Sequence, residues 1–123
     1  MLRSDLWCAV FVRRHNDLGH FCTVSRRGDA IAGQVFIEVD HLNGQVSLYT
    51  PAPSAMVPEG SEDRLFQRRF DHVPPADVKA RIAREADFDP DLWVLTLELR
   101  SGDLGLLVVR PDIGQASWPT PGR

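Results

Sequence analysis

The sequence predicts an α+β domain, a small antiparallel sheet of about five strands with two helices packed on one face. Three observations predict it. Gln34 to His41 alternates apolar and polar side chains, and Asn43-Gly44 follows it before a second strand-like run. Pro75 to Ala86 carries an apolar stripe at helical spacing. The elements then fall in the order helix, strands, helix, strands. A chain of 123 residues fits one domain. We assign that domain to residues 1–110 and treat 111–123 as a Pro/Gly-rich C-terminal tail.

The first element starts at Ser4-Asp5. Serine is a good N-cap, and an aspartate in the first turn complements the helix dipole. Gly19 stands where a helix closes in the left-handed conformation. Trp7, Val10, Phe11 and Val12 also favour strands, so a strand over 6–12 is the competing reading. Residues 21–26 read as a strand that Arg26-Arg27-Gly28-Asp29 ends in a turn. In Gln34 to His41, Val35, Ile37 and Val39 share one face. Asn43-Gly44 is a strong signal for a two-residue hairpin. That loop pairs Leu42 with Gln45, and so places Val39 opposite Leu48 and Ile37 opposite Thr50.

Residues 51–63 hold three prolines and no periodicity, and read as a loop. Leu65 to Phe70 is a short strand or a turn. Pro75 to Ala86 is a helix with proline in its first turn and Val78, Ile82 and Ala86 on one stripe. Asp89-Pro90-Asp91 stops it. Leu92 to Arg100 and Leu104 to Arg110 read as a second hairpin about Ser101-Gly102-Asp103.

Composition bounds the function classes. The net charge is −3, and Lys79 is the single lysine beside thirteen arginines. That balance argues against general nucleic-acid binding, which leaves a basic footprint. The early apolar run, Leu6 to Val12, falls far short of the roughly twenty residues that span a membrane. Asp5 before it and Arg13-Arg14 after it do not fit a signal peptide. Cys8 and Cys22 sit in apolar stretches, as buried thiols of a reducing, cytoplasmic setting would.

Several strings resemble a known family. They are Ser4-Asp5-Leu6-Trp7, Arg13-Arg14, Arg26-Arg27-Gly28-Asp29, Ala32-Gly33, Leu48-Tyr49-Thr50-Pro51-Ala52-Pro53 and Ala83 to Trp93, with Phe88-Asp89-Pro90-Asp91-Leu92-Trp93 the most specific. The family comprises short alphaproteobacterial proteins known only as a domain of unknown function. The resemblance covers roughly residues 4–100. It implies a bacterial cytosolic setting and no activity, and no functional residue carries over from it.

Candidate chemistry is sparse. Arg26, Arg27, Gly28 and Asp29 join paired arginines to a turn whose N–H groups can point one way, an arrangement that suits a phosphate or carboxylate. Arg13 and Arg14 extend that patch if the first helix packs beside the strand. The bland alternative is that these arginines are solvated or paired with acids. Asp87, Asp89, Asp91 and Glu98 have the offsets of a calcium loop, but Leu92 stands where the sharp turn needs glycine, so no calcium is expected. His15, His20, Cys22 and His41 are zinc-ligand types without metal spacing. Ser25 has no nucleophile elbow around it. Trp7 and Trp93 read as core. Trp118, in the tail, either caps the domain or contacts a partner.

These features lead to a non-enzymatic binding or interaction module with no cofactor and no metal. A domain binding a phosphate or carboxylate ligand is the alternative, and an enzyme with an unrecognised site the second alternative. The partner is unknown; a protein or a second copy of the chain would fit.

Overall fold

The computed structural model describes residues 2–109. Helix α1 (Ser4–Asp17) leads into strand β1 (Phe21–Arg26). Strands β2 (Val35–Asp40), β3 (Val46–Pro51) and β4 (Leu65–Val73) follow. Helix α2 (Pro75–Phe88) precedes β5 (Trp93–Glu98) and the short β6 (Leu107–Val109). The six strands form one open sheet in the order β1-β5-β2-β3-β4-β6. The α+β class is as expected; the sheet has one strand more and is mixed. β2 and β5 run parallel, as do β4 and β6. β5 therefore does not fold back on β6. It inserts between β1 and β2, and the chain then crosses to pair β6 with the far edge.

The helices lie on opposite faces, which corrects the one-face expectation. Val35, Ile37 and Val39 of β2 pack with Cys8 and Phe11 of α1. Phe36, the residue between the first two, packs with Val78 of α2 and Leu48 of β3. A strand between two helices is buried on both faces, so it reads as a nearly continuous apolar run. Val94, Leu95 and Leu97 of β5 show that pattern.

α1 is a helix, and Gly19 closes it with φ of 89°. Its cap position falls on Arg3; Ser4 is the first helical residue, and its hydroxyl donates to the Gly33 carbonyl at 2.6 Å. The stripe Val78, Ile82, Ala86 faces the sheet from α2 as its spacing requires. The β2–β3 turn corrects the expected register by one residue. His41 N–H donates to the Gln45 carbonyl, so the loop is Leu42-Asn43-Gly44. Asp40 Oδ1 accepts the Leu42 N–H and Asn43 Oδ1 accepts the Gln45 N–H. These side chains hold the backbone in local turns, and Leu42 takes a φ of 63°. Val39 consequently faces Ser47, while Leu48 faces Glu38 on the α2 side. A slip of one residue turns every side chain of a strand to the other face.

Candidate functional site

β1 ends in a bulge between Val24 and Arg26, and the chain then turns against the 89–93 segment. Asp29 N–H donates to the Asp91 carbonyl at 3.0 Å, and the Asp29 carbonyl accepts the Trp93 indole N–H at 2.7 Å. The Asp29 carboxylate accepts the N–H groups of Ile31 and Ala32. Arg26 Nη2 donates to the Pro90 carbonyl, and Arg27 lies over the Trp93 ring at 5.1 Å. Among the described residues neither arginine is paired with an acid at hydrogen-bond distance. The Asp29 N–H, however, is already spent on the protein's own backbone. Much of this turn's polar chemistry fastens the β1–β2 connection to the start of β5.

Arg13 and Arg14 lie elsewhere. α1 runs antiparallel to β1, and its first turn, not its last, meets the Asp29 loop through Asp5 N–H to the Ala30 carbonyl. Eight residues of helix separate Asp5 from Arg13, roughly 12 Å of axial rise. Arg13 is exposed and faces Asp17 at 3.9 Å. Arg14 lines a separate hollow with Trp7 and Arg64.

The histidines form two pairs at separate places. His15 Nδ1 meets His20 Nδ1 at 2.9 Å, while His41 stacks on His72 at 3.7 Å between ring centres. Cys22 and Cys8 are free and buried. Burial pushes their thiols up to about 11 and about 12, which leaves them protonated and unreactive. Among the described residues no group of three or more His, Cys, Asp or Glu is placed to hold a metal. Asp89 instead accepts the Asp91 N–H in the turn before β5. Trp118 lies outside the described residues.

The structure places a different site in view. On the α2 face, a cleft of about 640 Å³ opens between the helix and the sheet. Its lining includes Gln34 and Phe36 from β2 and the residue before it, Thr50 from β3, and Gln67 and Arg69 from β4. Glu85 of α2 and the 51–57 loop form its walls. Thr50 pairs with Gln67 across the β3–β4 ladder, which sets the hydroxyl beside the amide. A register shift between Leu48 and Tyr49 makes room opposite them for an extra residue on β4, and that residue is Arg69.

The polar groups of the cleft differ in how they are engaged. Gln67 Nε2 donates to the Pro51 carbonyl at 3.2 Å, which leaves its oxygen free to accept. Glu85 faces Arg81 one helical turn earlier at 3.7 Å. The Arg69 guanidinium makes no hydrogen bond or ion pair among the described residues. Thr50 is 6% exposed, and its Oγ1 is buried without a partner among the described residues. Buried hydroxyls are nearly always satisfied, and an unmade hydrogen bond costs about 1–3 kcal/mol. Sequence reasoning missed this site because its residues come from four separate segments. The signal available was polar Thr50 near the end of β3, just before Pro51-Ala52-Pro53.

Comparison with known proteins gives a family and no activity. A family model described as "Protein of unknown function (DUF1491)" matches residues 2–106. No curated protein matches the chain. The crystal structure of a DUF1491 family protein from Caulobacter crescentus CB15 is similar at 32% identity and a TM-score of 0.72, covering 89% of this chain and 98% of that one. The NMR structure of a DUF1491 family protein from that bacterium is similar at 34% identity with a TM-score of 0.70, covering 89% and 97%. A solution structure from A. tumefaciens is similar at 32% identity with a TM-score of 0.77, again covering 89% and 97%. With a family model spanning nearly all the described residues, and with these folds beside it, the chain belongs to the DUF1491 family of proteins of unknown function.

Proposed function

We propose that this protein is a non-enzymatic small-ligand-binding domain whose ligand sits in the cleft between α2 and the sheet. The buried, unpartnered Thr50 hydroxyl carries the reading. A polar atom held in that state at the floor of an open cleft is a hydrogen-bonding position that a ligand would complete. The cleft volume of about 640 Å³ suits a metabolite-sized molecule. Its walls supply two charged groups, two amides and apolar surface, the mixture that binding pockets use for orientation and affinity. The buried free thiols fit a reducing compartment such as the cytoplasm. No helix among the described residues is long and apolar enough to cross a membrane.

Thr50→Val tests the proposal, because it removes the hydroxyl and keeps the shape. The unliganded variant should gain stability, up to about 1–3 kcal/mol, since an unsatisfied buried group is gone. Binding should weaken about tenfold through the lost hydrogen bond. The ligand is sought by amide NMR titration with monosaccharides, sugar phosphates, amino acids and dicarboxylates. A less stable Thr50→Val protein, or a panel that leaves the β3, β4 and α2 amides unmoved, would overturn the cleft as the site.

A second reading keeps the anion seat at Arg26 to Asp29, with Arg27. One observation favours it: Arg26 Nε is also buried without a partner among the described residues. Shifts confined to residues 26–29 in the same titration would select it over the cleft.

A further inference from the structure

We infer that the ligand of the cleft is a hydroxylated organic anion, a phosphate ester or a carboxylate, whose charged group is held by Arg69. The inference rests on the cleft being the binding site and goes on to the ligand's chemistry.

The charges around the cleft carry the argument. Two charged side chains line it, Arg69 and Glu85. Glu85 has a cation of its own in Arg81, on the preceding turn of α2. Arg68, the neighbour of Arg69 on β4, faces Asp71 at 3.7 Å. Arg69 alone of these faces no acid and donates to no carbonyl among the described residues. The cleft therefore presents one uncompensated positive charge. A guanidinium offers a planar fork of donors that matches two oxygens of a carboxylate or phosphate.

The rest of the cleft specifies what the anion is attached to. Thr50 Oγ1 can donate and accept, and the free Gln67 oxygen accepts. Both positions suit hydroxyl groups. Arg69 stands two residues along β4 from Gln67, roughly 7 Å of strand rise. A single inorganic anion cannot reach both ends of that span. A molecule with its charge at one end and hydroxyls along its body can. Phe36 and the proline-bearing wall supply apolar surface for its carbon skeleton.

Matched pairs test this: ribose against ribose 5-phosphate, glucose against glucose 6-phosphate and gluconate, and inorganic phosphate alone. Amide shifts locate each probe and give its dissociation constant. We expect the charged member to bind about ten- to a hundredfold tighter than its neutral partner, with the advantage shrinking as salt is raised. Inorganic phosphate should bind more weakly than the esters. Arg69→Gln should remove the advantage of the charged member, so that charged and neutral partners bind the variant about equally. Arg69 is exposed, so this variant should fold, and its melting temperature checks that. Equal binding of neutral and charged members at the cleft would overturn the anion inference while leaving the cleft as the site. An advantage that survives Arg69→Gln would do the same. If no probe moves the cleft amides, both the inference and the site fail.

Discussion

A methyl group added at Gly28 would lie 2.1 Å from the Asp91 carbonyl oxygen and 2.7 Å from Trp93 Cδ1. Backbone and a buried ring cannot both give way. Gly28→Ala is therefore expected to cost about 3 kcal/mol or more, as overpacking against fixed atoms does at its upper end. Chemical denaturation should show it as a large drop in the midpoint. A cost under about 1 kcal/mol would mean that the 28–29 turn and the 91–93 segment are not held this closely. The sequence marked Gly28 as a turn residue, and the turn is there. It did not show why glycine is required, because the reason lies in a segment more than sixty residues away. Arg26 and Arg27 were legible as a paired-arginine turn for the same local reason. Their engagement with Pro90 and Trp93 was not, since it depends on β5 lying beside β1. Thr50 was legible only as a polar residue near the end of a strand: burial and a missing partner are properties of the assembled cleft.

One residue of α1 fastens a long connection. After β5 the chain crosses to β6, and His15 Nε2–H donates to the Leu104 carbonyl at 2.8 Å on the way. A carbonyl only accepts, so Nε2 holds the proton and Nδ1 is the acceptor for His20 Nδ1–H. His15 is 1% exposed. Burial holds its pKa below the ordinary 6.5; His20 and Arg14 lower it further, while the Leu104 carbonyl and Asp103 oppose them. The folded state thus binds a proton less readily than the unfolded state. Its stabilising effect is complete above the unfolded value, about 6.5, and is lost as pH falls through the lowered folded value. Protonation would also make Nδ1 a donor facing a donor. We expect stability to decline below about pH 6.5 and His15→Gln to flatten that part of the profile. Urea midpoints from pH 5 to 8 check it, and a wild-type profile that coincides in shape with the variant's would refute it. At this scale α2 and most strands were legible from periodicity and turn residues. α1 stayed open against a strand because Trp7, Val10, Phe11 and Val12 suit either, and its cap position is Arg3 and not Ser4. The hairpin register was not, because Asp40 and Asn43 compete as local hydrogen-bond acceptors, and no propensity scale ranks that contest.

The molecule as a whole has two cores divided by one sheet. The sequence order of elements favours neighbours that pair, and that rule hid the topology: β5 joins β1 and β2, both far away in sequence. The apolar density of β5 was the available clue that it lies inside the sheet and is covered twice. Adjacent residues of this strand serve opposite sides. Leu95 belongs to the core under α1, and Val94 to the core under α2, and they are 0% and 2% exposed. Because one strand carries both, neither core can lose its packing without moving the backbone of the other. Leu95→Ala should cost about 2–5 kcal/mol. Val94→Ala removes less volume and should cost less, about 1–3 kcal/mol. Each should lower the stability seen by probes on both faces by the same amount, in a single transition. Trp7 and Trp93 report the α1 side. Amide exchange of α2 around Val78 reports the other. A Val94→Ala protein in which α2 exchanges sooner while the tryptophan transition stays at the parent's midpoint would show two independent cores. Equal shifts would show that β5 makes the α2-side cleft on one face and the arginine turn on the other parts of one cooperative unit.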